Sequence, residues 1–170
     1  MLNAQLSRLL NEQIAKEFYS AYLYLNIANY YNDAGLGGFE NWFNVQAQEE
    51  RDHAMLFRTY LLNSDEKVTL LPIDAPGGDF SNFLQPLKLT LSHEQQVTAS
   101  INNIYGAAYA QKDFKSMQFL DWFVKEQGEE EKKATDLIKK YDLFASDAKG
   151  LYQLDQELGA RAYTAPTLVL

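Results

Sequence analysis

The chain has 170 residues, of which 46% are apolar and 14% aromatic, enough for one domain around one core. It has no cysteine, which excludes disulfide frameworks, zinc ribbons and thiolate-held iron–sulfur clusters. Its net charge of −8 is the wrong sign for a general nucleic-acid binder, and no apolar run approaches the roughly eighteen residues that a membrane helix needs.

Met1-Leu2-Asn3-Ala4-Gln5 carries no basic region followed by an apolar run, so no secretory leader is expected, and the cytoplasm is the expected compartment. The first helical period runs from about Asn3 to Asp33, with the apolar stripe Leu10, Ile14, Phe18, Ala21, Leu25, Ala28 at steps of three and four. Ala34-Gly35-Leu36-Gly37-Gly38 stops it and predicts a tight helix–helix turn. A second helix is predicted from about Phe39 to Asn63, on the stripe Phe43, Ala47, Ala54, Phe57, Leu61. From Ser64 to Ser81 the pattern breaks, with Pro72, Pro76, Gly77, Gly78 and the β-branched pair Val68-Thr69, so this segment reads as an extended connection. The third helix is predicted from Asn82 to Gln111 (Leu84, Leu87, Leu91, Ile101, Tyr105, Ala108) and the fourth from Asp113 to Tyr141 (Leu120, Phe123, Ala134, Leu137, Tyr141). The very short turn between them makes them antiparallel neighbours. A short fifth helix follows at Ala148 to Leu158, and then a tail with Pro166 and little periodicity, expected to be disordered or to pack on a neighbour. Two helical hairpins joined by one long crossover form an all-α four-helix bundle, one of the few known bundle topologies.

Each apolar stripe is interrupted near its middle by polar groups. These are Glu17 in the first helix, Glu50 and His53 in the second, Glu94 in the third, and Gln127 and Glu130 in the fourth. Glu17 and Glu50 are 33 positions apart, and so are Glu94 and Gln127, so both hairpins present their interior polar groups at one offset. Glu50 and His53, three apart, project from one face. Burying a carboxylate costs several kcal/mol, roughly, even after relaxation, and a cluster of them must take up protons or cations. Multivalent cations resolve the conflict. Oxygen donors with one imidazole and no sulfur suit iron, manganese or zinc better than copper, and the donor count suits two ions sharing a bridging carboxylate.

The pattern Glu17, Glu50-Arg51-Asp52-His53, Glu94 and Gln127-Gly128-Glu129-Glu130 resembles that of bacterial non-haem ferritins. So do Leu10-Asn11-Glu12-Gln13, Glu17-Phe18-Tyr19-Ser20, Ala47-Gln48-Glu49-Glu50 and Glu126 to Lys132. The likeness extends over residues 1–159 and leaves 160–170 as a C-terminal tail. It implies a ferritin-like bundle that oxidises iron(II) with dioxygen or peroxide and stores it as a ferric mineral inside a homo-oligomeric shell of 24 subunits, with no nucleic-acid or membrane partner. It also implies roles for single residues. Glu17, Glu50 and His53 would hold one iron, and Glu50 would bridge to a second completed by Glu94 and Glu130. Gln127 would be a ligand or a hydrogen-bonding neighbour of that second iron, and Tyr24 the tyrosine beside the centre. Glu49, Glu126 and Glu129 would form a third iron site reached through Glu130.

Two departures carry meaning. The di-iron carboxylate pattern takes one Glu from each of two helices and Glu-x-x-His from each of the other two. Here the fourth helix reads Gln-x-x-Glu, which separates the chain from bacterioferritins and predicts a weaker second position, from which oxidised iron moves on to a mineral. Position 51 is Arg, where bacterioferritins carry the haem-ligating Met, so no haem is expected. His93, next to Glu94, points to another face and reads as a surface or interface residue, and Trp42 and Trp122 read as core or interface aromatics. The competing reading from another class is a metal-free bundle with a buried acid network.

Overall fold

The helical spacing builds α1 (Ala4–Asp33), α2 (Gly37–Asn63), α3 (Leu84–Ala110), α4 (Phe114–Phe144) and α5 (Ala148–Gly159). The computed structural model describes residues 2–170, so Met1, the first residue of the expected domain, lies outside it. Among the described residues there is no strand, and no helix is long and apolar enough to cross a membrane.

Local chemistry sets the helix ends. Asn3, Asp113 and Asp147 each turn a side-chain oxygen onto a free backbone N–H of the first turn, at 2.9, 3.1 and 2.8 Å. Gly35 ends α1 in the left-handed region, at φ +77°. There the Leu36 and Gly35 N–H groups reach back to the Tyr31 and Asn32 carbonyls, both at 2.9 Å. α2 begins two residues earlier than the sequence predicts because its cap comes from far along the chain. The buried Asp155 of α5 accepts from the Gly38 and Phe39 N–H groups at 2.8 and 3.0 Å. A Cβ at position 38 would lie 1.6 Å from the Asp155 carbonyl oxygen, so only glycine lets α5 dock there.

Cross-links fix the directions. Gln13 to Ser100 and Tyr31 to Phe83 make α1 and α3 antiparallel. Thr98 to Glu131 and Tyr105 to Asp121 do the same for α3 and α4, and Gln46 to Glu130 and Tyr60 to Ser116 for α2 and α4. Since α1 opposes both α2 and α3, those two are parallel, and residues 64–83 must travel the bundle's length. That is about 40 Å for a helix of this size. An extended chain advances roughly 3.3 Å per residue and spans it with slack. Asn11 pins the start of the crossover, accepting from Thr69 N–H at 2.7 Å and donating to the Lys67 carbonyl at 3.2 Å.

The core divides in two. One apolar cluster, including Leu10, Ile14, Phe57, Ile101 and Phe123, fills one end of the bundle. The other, including Ile27, Tyr31, Phe39, Phe43 and Leu137, fills the opposite end. Each fully buried Leu, Ile or Phe contributes roughly 1.5–3 kcal/mol, and the layer between the clusters is polar.

Several sequence expectations need correction. Leu25 is exposed at 45%, and Phe18 and Leu91 are only half-buried. The α1 core instead takes Leu23, Tyr24 and Ile27. The tail makes contacts within its own chain. It runs back over its own bundle, with Arg161 on α2, Tyr163 bonded to Asp52, and Thr167 accepting from the Trp122 indole at 3.1 Å.

Candidate metal centre

The polar layer converges as the spacing predicts. Glu17, Glu50 and His53 bring one donor atom each within 4.8 Å of one another, and Glu50, Glu94 and Glu130 do the same, so Glu50 belongs to both groups. All five are buried, at 1–2% exposure. His53 Nδ1 lies 3.3 Å from Glu50 Oε2. Its ring packs edge-on against Trp122 and Phe123, with centroids at 5.5 and 5.8 Å.

Around these donors sits a shell of amides, two of which sequence reasoning missed. Gln13 donates to Glu17 Oε1 at 2.8 Å. Gln46 donates to both Glu50 Oε1 (3.1 Å) and Glu130 Oε2 (2.6 Å). Each precedes its acid by one helical turn on the buried face, and that is the signal that could have found them. Gln127 donates to Glu94 Oε2 at 3.2 Å. Tyr24 is fully buried, and its hydroxyl donates to Glu94 Oε1.

This environment suppresses negative charge. Burial, then the neighbouring Glu50, pushes the Glu17 carboxyl up to about 8. Burial and Glu130 push Glu94 up to about 7. Glu50 is raised well above the ordinary range by burial and by Glu94 and Glu130. Tyr24 is likewise raised by burial and by Glu94. Glu130 differs. Burial pushes it up, but the Lys133 ammonium, 2.9 Å away, outweighs this and holds it below the usual carboxylate range.

The residues fit a pair of cations. Among the described residues, Glu17 Oε2 is the only buried side-chain polar atom with no hydrogen-bond partner, and it belongs to the first donor group. An ionised buried oxygen left unpaired costs roughly 1–3 kcal/mol, so one facing other carboxylates is available to a cation. The donors are hard oxygens with a single imidazole, the set suited to iron, manganese or zinc.

The other expected residues fall elsewhere. Glu49 and Glu126 flank Lys133, whose Nζ is 3.9 and 4.0 Å from them, and Glu49 also accepts from Arg161 at 2.6 Å. Glu129 is exposed and pairs with Lys125 at 3.6 Å, so it is not brought into this cluster. Arg51 is exposed beside Asp52. His93 is half-buried. It packs between α1 and α3, 2.8 Å from Ser20 Oγ and against the Tyr19 and Tyr24 rings, and burial lowers it to about 4. Trp42 lies in the core beneath the Arg161 guanidinium, 4.4 Å from its ring centroid.

The comparisons agree with this architecture. A family model described as a ferritin-like domain matches residues 7–144. A bacterial non-heme ferritin of Campylobacter jejuni is 37% identical over 156 residues, covering 92% of this chain and 93% of the relative. One of Staphylococcus aureus is 35% identical over 163 residues, covering 96% and 98%. Among solved structures, a closed form engineered from Archaeoglobus fulgidus ferritin superposes with a TM-score of 0.94 at 38% identity, covering 96% of this chain and all of that one.

Proposed function

The chain belongs to the ferritin family, and from that premise we propose that it stores iron, oxidising iron(II) at the buried centre and depositing it as ferric oxide-hydroxide inside a hollow shell of 24 identical subunits. The observation that carries this reading is the double donor group sharing Glu50, sealed between two apolar clusters, with Glu17 Oε2 lacking any other partner.

Iron is the substrate. Glu17, Glu50 and His53 hold one ion, and Glu50, Glu94 and Glu130 hold the other. Two adjacent iron(II) ions give up one electron each. Dioxygen takes both electrons with two protons and leaves as hydrogen peroxide, so no one-electron radical is released. Peroxide as oxidant takes two electrons and two protons and leaves as two waters. Gln13 and Gln46 hold three of the carboxylates in position, and Tyr24 and Gln127 steady Glu94. The apolar layers on either side exclude water. The fourth helix supplies Glu130 without a second imidazole, which weakens the second position and lets iron(III) move on to hydrolyse in the cavity. The acidic chain, at −8, favours cation entry. No haem takes part in this reading, and the shell is placed in the cytoplasm.

His53→Ala and Glu50→Ala are expected to leave the shell intact and to slow iron(II) oxidation at least tenfold in stopped-flow absorbance under air. Unchanged rates would remove both residues from the centre. A metal-free bundle would take up no iron(II) beyond its surface carboxylates in an anaerobic titration.

A further inference from the structure

We propose that Lys133 is a built-in cation occupying the position between Glu49, Glu126 and Glu130, so that this subunit holds two metal ions and not three. The inference rests on the iron-storage reading and departs from the third site that the family resemblance implied.

Glu126, Glu130 and Lys133 stand at steps of four and three along α4, on one face, and Glu49 meets them from α2. The ammonium is 2.9 Å from Glu130 Oε1, a charge-assisted hydrogen bond, and about equally far from Glu49 (3.9 Å) and Glu126 (4.0 Å). It therefore takes the central place among three carboxylates that a metal ion would need. Glu129, the fourth carboxylate such an ion would recruit, points to solvent and to Lys125.

A second cation closes the cluster from the tail. The Arg161 guanidinium stacks on Trp42 and donates to the Trp42 carbonyl at 3.1 Å, to Gln46 Oε1 at 2.9 Å and to Glu49 Oε2 at 2.6 Å. Gln46 in turn donates to Glu50 and Glu130, so the tail is tied to the di-metal centre through one amide. Beyond Arg161 the tail continues along α2 to Asp52 and reaches Trp122 on α4, covering the groove between these helices.

The electrostatics follow. Three carboxylates face two fixed positive groups, leaving one residual negative charge and little attraction for a divalent ion. Lys133 is tethered on its own helix, so its effective concentration at the site is in the millimolar range or above, and a free ion must compete with it. The built-in cation replaces the third ion.

The test counts redox-inert zinc(II) bound per subunit by chelator-stripped, assembled protein after equilibrium dialysis and elemental analysis. Lys133→Met/Arg161→Met is expected to bind one more zinc per subunit than the unaltered chain. Adding Glu49→Gln to that pair should remove the gain. Equal counts in the unaltered chain and the double variant overturn the proposal, as does a gain that survives Glu49→Gln. Glu50→Ala serves as the separate control. If it binds as much zinc as the unaltered chain, the di-metal reading itself fails, whatever the Lys133 variant does.

Discussion

Replacing Glu17 by Gln should make the metal-free protein more stable, and more so as pH rises. Glu17 is fully buried and its carboxyl ionises near 8, against 4.5 when free. At pH 5 it is protonated in the folded chain and only partly ionised in the unfolded one, so the mismatch costs under about 1 kcal/mol. Between 4.5 and 8 the unfolded chain releases a proton that the folded chain retains, and stability falls by about 1.4 kcal/mol per pH unit. The contribution is thus fully present below the free value and is lost as pH rises through the folded one. By pH 8 the ceiling on the cost is about 5 kcal/mol, and relaxation with water entry should leave roughly 2–3 kcal/mol. Glutamine has the shape of the protonated acid and no ionisation to suppress. Glu17→Gln should therefore match the parent near pH 5 and exceed it at pH 8 by roughly 5–10 °C in melting temperature, at 2–4 °C per kcal/mol for a chain of this size. The assay is thermal unfolding of chelator-treated protein by circular dichroism at both pH values and equal protein concentration. Zinc(II) should reverse the order, because it stabilises only a chain that can ligate it. If the Glu17→Gln gap is the same at pH 5 and pH 8, the buried acid is not under electrostatic stress and the argument for a cation site loses its driving force.

Metal binding should expel protons. Near pH 7 Glu17 and Glu94 hold protons at least in part, at about 8 and about 7, Glu50 is raised well above the ordinary range, and ligation requires carboxylates. Zinc(II) titration by calorimetry in buffers of different ionisation enthalpy should show on the order of two protons or more released per subunit at pH 7, fewer above pH 8, with affinity rising over that interval. No proton release at pH 7 would contradict the assigned ionisation states. Asp155→Ala removes the cap that α5 places on α2, at a cost of about 1–2 kcal/mol and roughly a 3–8 °C lower melting temperature. Its iron-oxidation rate should stay that of the parent, and a selective loss of oxidation without a stability change would place Asp155 in the chemistry instead.

The four long helices were legible because their apolar residues recur at helical steps, and the crossover because Pro72, Pro76 and the glycines interrupt that recurrence. The helix phase was less legible. Leu25 continues the arithmetic of the α1 stripe yet lies at its edge, beside Phe18, Tyr22, Ala47 and Ile73 in an apolar surface groove. Hydrophobicity marks a residue that prefers to leave water, but not what covers it. The early start of α2 was hidden for a different reason. Its cap, Asp155, is 117 positions away from Gly38, and no local pattern signals a partner at that separation.

The centre divides along the same physical line. Acids inside an apolar stripe stand out because each is costly to bury alone, so Glu17, Glu50, Glu94 and Glu130 identified themselves, and the equal spacing of the hairpins placed them at one level. Gln13 and Gln46 did not stand out because a buried amide is cheap once bonded, and its meaning lies in what it bonds to. Lys133 was hidden in a charge run, where a flexible stem can place its ammonium in solvent or among acids with equal ease of sequence. Only the α2–α4 approach and the return of the tail decide between those positions. On the two-ion proposal, the number of metal ions per subunit depends on the reach of two long basic side chains, and the number of carboxylates that a sequence supplies does not determine it.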